Sequence, residues 1–162
     1  MALTKLNNQS LVAVSALPAA ITTGSVLQVV QSTHSSQFIA NTQAWNDTGF
    51  TGTITPTSAT SKVLALCQIP LMSYINNSNE CIGFGRLSRD ASNFSGSIVA
   101  NGYDYGGNGQ IINHTAALNW LDTPATTSAI TYTFELWHHA GTETRLIYQN
   151  ADASMILMEI AV

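Results

Sequence analysis

The sequence predicts an all-β protein, an antiparallel β-sandwich or jelly roll that follows a short extended N-terminal arm. Only 9% of its 162 residues are charged and 45% are hydrophobic, whereas an average globular domain has about 25% charged residues. A surface with so little charge must be covered by Thr, Ser, Asn and Gln, which suits outward positions of β-strands. β-prone runs also recur roughly every 8 to 15 residues, with turn signals between them.

Residues 1–23 are predicted to form a docking arm, and residues 24–162 the sandwich head. The arm is too apolar to stay solvated as a tail and too short to build a core alone. We therefore expect it to dock on a neighbouring subunit or a larger assembly. Its predicted contact residues are Leu3, Leu6, Leu11, Val12, Val14 and Leu17.

The first half of the head is predicted to consist of strands joined by polar turns. The early strands are expected at Val26–Gln31 and Thr48–Thr57. The longest apolar run, Lys62–Ile75, contains Pro70, which predicts a long buried strand with a kink or an edge at the proline. We expect the Asn-rich segment 76–79 to be a hairpin tip, so that Glu80–Ser88 pairs back on the preceding strand.

That hairpin register would place Cys81 across from about Tyr74, and Cys67 across from about Ser88. The two cysteines would then not be neighbours, so we expect free thiols that are buried as small apolar side chains. A disulfide remains the alternative if the two cysteines meet by another route.

The second half continues the β pattern with one ambiguous segment. Ser95–Gly109 predicts a short strand followed by a glycine-rich loop, and Ile111–Thr123 fits either a strand or a helix. Thr131–His139 alternates, Arg145–Asn150 is expected to return after the turn, and Ser154–Val162 closes the chain.

Both ends of the chain are apolar, which predicts a closed symmetric oligomer. The expected interface residues in the terminal strand are Met155, Leu157, Met158 and Ile160.

The segment ELWHHAGTE is the strongest metal-like motif, because Glu-x-x-His is a spacing that metal sites on helices use. On a strand, however, Glu135, Trp137 and His139 point to one face while Leu136 and His138 point to the other. We therefore expect imidazoles at the exposed end of a hairpin, and neither a metal site nor a cofactor.

The best candidate for a binding loop is NGYDYGGNG, where Tyr103 and Tyr105 flank Asp104. Rigid aromatic faces beside polar groups are typical of adhesive loops and of sugar contacts, and Trp45 and Trp120 could contribute further rings. The alternative is a surface loop whose tyrosines pack down on the sheet.

Charge and motifs also exclude several functions. With a net charge of −4 and only five Lys and Arg, the chain lacks the clustered cations that nucleic acids or basic membrane-surface helices require. It contains no GxSxG elbow and no supported carboxylate pair, so we expect no enzymatic activity.

Three parts of the chain carry a family resemblance: Gly24–Gln31, Trp45–Leu64, and the strands from Thr131 to Val162. They resemble small β modules of virion structural proteins in tailed phages, especially phages of cyanobacteria, where the modules occur in tail-fibre-like proteins and appendages. The resemblance implies a jelly-roll-like head, commonly trimeric, located in the virion, with no catalytic residues to transfer.

The expected function is therefore a tail-fibre or appendage head that contacts other virion proteins and a host-surface glycan. The lack of a long shaft raises the alternative of a capsid decoration protein bound to the major capsid protein. A secreted lectin-like module is a remote third alternative, which requires cleavage after the apolar N-terminal run.

Overall fold

A computed structural model describes residues 24–75, 80–90, 92–93, 98–103 and 109–162. The predicted arm of residues 1–23 and the predicted hairpin tip at 76–79 lie outside the described residues. The described strands are β1 (Val26–His34), β2 (Phe38–Ala40), β3 (Trp45–Ile54), β4 (Lys62–Ile75), β5 (Glu80–Arg89), β6 (Ser92–Asn93), β7 (Ile98–Tyr103), β8 (Gln110–Asp122), β9 (Ile130–Ala140), β10 (Glu143–Leu146) and β11 (Ala153–Ile160).

These strands form two antiparallel sheets that pack face to face. The first sheet has the order β1, β11, β4 and β8, with the short β10 and β2 beside the second half of β4. The second sheet has the order β3, β9, β5 and β7, with β6 at the end of β5. This interleaving of early and late strands is the strand order of a jelly roll. The predicted all-β sandwich is confirmed. The described ranges contain no helix, and so none that could cross a membrane.

The hydrophobic core lies between the sheets and is built by the alternate, inward residues of each strand. Its largest fully buried side chains include Phe50, Tyr132, Phe134, Ile69 and Met155. Two glycines allow the sheets to approach closely. A Cβ at Gly52 would lie 2.8 Å from the Met155 sulfur, and one at Gly83 would lie 2.5 Å from the Thr144 methyl group.

The predicted hairpin between Lys62–Ile75 and Glu80–Ser88 is wrong. Both segments are strands, but β4 lies in the first sheet and β5 in the second. The reason is that both edges of β4 are already occupied, by β8 on one side and by β11 and β10 on the other. The chain therefore crosses to the other sheet after Ile75.

The predicted pairing of Arg145–Asn150 with the strand before AGTE is also wrong, because β3 and β5 already occupy the two edges of β9. β9 pairs with β3 and β5 in the second sheet, whereas β10 pairs with β4 and β2 in the first. Gly141, at φ +95°, lies in this second crossing, where a Cβ would be only 2.7 Å from Cys81 Cα. Only glycine fits there.

Pro70 lies inside a central strand and not at a sheet edge. On one side of β4, β11 pairs as far as Gln68 and β10 pairs from Leu71 onward. Pro70 occupies the gap between these two partners, where its carbonyl accepts a hydrogen bond from Ile147 N at 2.9 Å. A proline is tolerated there because its missing N–H falls at the break in the ladder.

Both cysteines are free and buried, as predicted. The register on which that prediction depended was wrong, because Cys67 lies opposite Met155 and Leu118 in the first sheet while Cys81 lies opposite Gly102 in the second. The ambiguous segment after Ile111 is a strand, and every residue of β8 pairs with β4 without a register shift.

Candidate functional site

The outer surface of the first sheet carries apolar side chains across all four of its main strands. Val29 lies opposite Met158, Met158 opposite Leu64, and Leu64 opposite Leu121. Directly opposed residues of antiparallel strands point to the same face, so these four side chains form one continuous row.

Two further rows flank the first. Ile156 lies opposite Leu66, and Val26 lies opposite Ile160. We call the eight side chains together the apolar face. It consists of Val26, Val29, Leu64, Leu66, Leu121, Ile156, Met158 and Ile160.

The apolar face is open to solvent in the described part of the chain. Its outer members Val26, Val29 and Leu121 are 51%, 58% and 51% exposed, while the side chains on β4 and β11 are half-buried by their neighbours. Strands about 4.8 Å apart and rows about 7 Å apart give a patch of roughly 200–300 Å². The largest apolar patch on a typical monomer is about 300–600 Å², so the position of these side chains across four strands, and not their area, marks the apolar face as a candidate contact surface.

The predicted interface residues of the terminal strand divide between the two faces of the sheet. Met158 and Ile160 belong to the apolar face, whereas Met155 and Leu157 are 0% and 1% exposed and pack in the core. The last two therefore cannot contact another copy. Their apolarity follows from the position of β11, which lies between β1 and β4.

The outer surface of the second sheet is different, because it combines aromatic rings with charge. Trp45 and Trp137 meet edge to face with ring centroids 5.4 Å apart. The Arg86 guanidinium lies 4.0 Å from the Trp45 ring centroid and forms a 2.6 Å ion pair with Glu135. Arg86 therefore covers the ring that was predicted to receive a ligand.

The structure does not bring the predicted binding residues together. Trp45 lies on the second sheet and Trp120 on β8 of the first. Tyr103 is the last residue of β7, where its backbone pairs with Glu80. Asp104 and Tyr105 lie outside the described residues.

The adjacent histidines lie on opposite faces of β9, as the strand pattern predicted, but only His139 is exposed. His138 is 5% exposed, and its ring nitrogens lie 3.2 Å from Thr144 Oγ1 and 3.2 Å from the Gly141 carbonyl. The expectation that both imidazoles are exposed is therefore wrong for His138. Burial lowers the pKa of this imidazole, which keeps it neutral and structural.

In the described ranges, no group of three or more His, Cys, Asp or Glu side chains is placed to hold a metal ion. A shallow groove of about 290 Å³ lies at the break in the ladder beside Pro70, lined in part by His114 and Tyr148. Its lining includes no carboxylate.

Two buried carboxylates hold the sandwich together, and sequence reasoning identified neither. Asp122 of the first sheet accepts a 2.6 Å bond from Arg89 and a 2.8 Å bond from the Tyr132 hydroxyl, both in the second sheet. Glu159 accepts bonds from Gln28 Nε2 at 2.6 Å and from the backbone and hydroxyl of Thr57, each at 2.8 Å.

Sequence reasoning found only two members of the apolar face. A signal for the others exists in β4 and β11, where inward and outward positions are both apolar. A strand of that kind is covered on both faces, either within the chain or by a partner.

Compared with models of known protein families, the chain matches none, and no curated protein matches it either.

Proposed function

We propose that this protein is a non-enzymatic structural protein of a tailed-phage virion. In this proposal it forms a homotrimer through the apolar face, and its jelly-roll heads are exposed on the particle as the tip of a tail fibre or appendage that contacts the host surface. The observation that carries the proposal is the apolar face itself.

An apolar patch on the outside of a sheet calls for a protein partner. Sugars, phosphates and metal ions are recognised by polar groups, whereas the central row of the apolar face offers only aliphatic side chains and a thioether, and Lys62 lies at its margin opposite Ile160. A standard protein interface buries about 800 Å² on each partner. The apolar face therefore supplies the centre of such an interface, and polar neighbours such as Gln31 and Asn119 supply its rim.

The virion setting is supported by the resemblance of residues 24–162 to phage modules and by the low charge of the chain. A capsid decoration protein is the alternative role, and it would use the same face together with the apolar arm of residues 1–23. The two roles differ in where the protein lies on the particle.

The assembly step is tested by native mass spectrometry of the purified protein. We expect the wild type to contain a multiple of three copies per assembly. The double substitution Leu64→Thr and Met158→Thr removes two central side chains of the apolar face and keeps β-favouring residues. It should remove the three-fold contact and leave folded chains whose copy number is no longer a multiple of three.

Ile82→Thr is the matched control, because Ile82 is a half-buried aliphatic side chain on the outer surface of the second sheet. It should leave the copy number of the wild type unchanged. A wild type that stays a single chain, or an Ile82→Thr variant that dissociates as readily as the double variant, would contradict the proposed interface.

The location is tested on virus particles purified from cultures that produce the chain. We expect mass spectrometry to detect the protein in the particle fraction, and an image reconstruction to place it on a tail fibre or appendage. Density on the capsid surface instead would establish the decoration role. Recovery only from the medium, cleaved within residues 1–23, would favour the secreted carbohydrate-binding module and overturn the virion proposal.

A further inference from the structure

β8 is a long edge strand whose outer edge has no partner among the described strands. It pairs with β4 through all of Gln110–Asp122 without a register shift, and no other described strand pairs with it. Natural proteins protect such an edge with a charge, a proline, a bulge, a short length or a covering segment. β8 is long, and from Gln110 to Leu121 it has no acidic or basic charge, no proline and no bulge.

The exposed apolar side chains of β8 are concentrated at its two ends. Ile111 is 46% exposed near one end, and Trp120 and Leu121 are 37% and 51% exposed near the other. The middle of the strand presents small or polar residues to solvent, namely Asn113, Thr115, Ala117 and Asn119.

The apolar side chains at the two ends of β8 are symmetric about Ala116, although His114 would lie opposite Leu118 on the inner surface. An antiparallel copy of β8 centred there would place Ile111 opposite Leu121 and Asn113 opposite Asn119 on the outer surface. On the inner surface it would place Ile112 opposite Trp120. Two-fold interfaces have this property, since residue i contacts j while j contacts i.

Other registers lose the match. Moving the centre to Thr115 would place Ile111 opposite Asn119, and moving it to Ala117 would place Leu121 opposite Asn113. Only the register centred on Ala116 pairs apolar with apolar at both ends. An unrelated peptide would add to this edge without requiring any such symmetry, so the pattern favours a second copy of the same chain.

We infer that β8 pairs with β8 of a second copy about a two-fold axis at Ala116, which joins the two first sheets into one continuous sheet. This contact shares Leu121 with the apolar face, but Ala117 and its neighbours near the axis do not belong to that patch. If the proposed trimer also forms and its three-fold axis crosses the two-fold axis at a right angle, copies assemble in sixes. If the trimer does not form, they assemble in pairs.

The test places charges beside the proposed axis. Ala117 is exposed, and residues 117 of the two copies would be diagonal neighbours about 7 Å apart. Ala117→Lys or Ala117→Glu alone should therefore halve the native mass, from six copies to three or from two to one. Mixing the two variants should restore the full mass as a mixed pair, because the facing charges are then opposite.

Thr51→Lys and Thr51→Glu are matched controls on β3, an exposed position on an edge strand of the second sheet. They should leave the native mass unchanged, and circular dichroism should report the same fold for all variants. A wild type that contains one or three copies, or an even assembly that both Ala117 variants leave intact, would overturn the β8 contact. If only the proposed trimer is wrong, the wild type forms pairs. If only the β8 contact is wrong, it forms trimers, so the two proposals fail with different native masses.

Discussion

Glu159 is the residue whose burial most needs an explanation. It is 0% exposed on the inner side of β11, and an isolated buried carboxylate would be strongly destabilising. Five donors compensate: Gln28, Ser61, the backbone N–H of Ser58, and both the hydroxyl and the backbone N–H of Thr57. They connect β1 and the β3–β4 connection to the terminal strand.

Glu159 should make the protein sensitive to acid. Burial raises the pKa of this carboxyl, but the hydrogen bonds outweigh burial and lower the pKa from 4.5 to about 2. Because the folded pKa lies below the unfolded one, the stabilisation is complete above about pH 4.5 and is lost as the pH falls towards 2. We expect Glu159→Gln to remove this dependence, and to lower the free energy of unfolding at pH 7 by about 2–3 kcal/mol.

Urea denaturation at several pH values measures this effect. Asp152→Asn, at an exposed position in the β10–β11 connection, is the control and should retain the wild-type pH profile. A Glu159→Gln variant with the same profile as the wild type would show that this carboxylate does not control acid stability.

The two thiols should be unreactive until the protein unfolds. Burial raises the pKa of Cys67 to about 12 and also raises the pKa of Cys81, so both are protonated at pH 8 and shielded from reagents. We expect no rapid reaction with a disulfide reagent in the native state, and two reacting thiols in denaturant without reductant. Fewer than two thiols in denaturant would indicate a disulfide.

At the level of elements, the sequence predicted strands much better than it predicted their partners. Alternation and turn residues located β4, β5 and β9 because those signals are local. The turn after Ile75 and the turn at Gly141 were both interpreted as hairpins, although both carry the chain to the other sheet. A short turn does not encode which strands already occupy the edges of β4, and that is what decided the topology.

The contact between Gly83 of β5 and Thr144 of β10 offers a test of how closely the sheets pack. Gly83→Ala would place a methyl group 2.5 Å from the Thr144 methyl and 2.6 Å from its hydroxyl. We expect a loss of about 1–3 kcal/mol in the free energy of unfolding from overpacking.

A double-mutant cycle separates this clash from other effects. Thr144→Ala removes the opposing atoms, and it also removes the hydroxyl near the His138 ring. In the Gly83→Ala background, Thr144→Ala should lower the free energy of unfolding by less than it does in the wild type, or should even raise it. Purely additive losses would argue against direct contact between the two residues.

At the level of the whole molecule, the two outer surfaces differ in character. The second sheet presents an Arg86–Glu135 ion pair beside aromatic rings, whereas the first presents the apolar face. The apolar sequence of the terminal strand was sufficient to predict Met158 and Ile160 as contact residues. Leu64, Leu121 and Val29 join them only through the register of four strands that are distant in sequence, so no local pattern could group them.

The core cluster of the described residues begins well after residue 23, which leads to a prediction about truncation. Every side chain of the described core cluster lies between Ala40 and Leu157, and β1 begins only at Val26. We expect residues 24–162 alone to fold into a soluble sandwich. Its free energy of unfolding in urea should be within about 1 kcal/mol of the full-length value, with a similar dependence on denaturant because the exposed area is similar.

The same truncation should abolish incorporation into particles, if the arm anchors the protein there. A full-length variant with Leu11→Ser and Leu17→Ser is the matched control, because it keeps the length and removes two of the predicted contact side chains. It should fold like the wild type and also fail to incorporate. Incorporation of the truncated form at the wild-type level would contradict the anchoring role, whereas failure of residues 24–162 to fold would show that the arm belongs to the core.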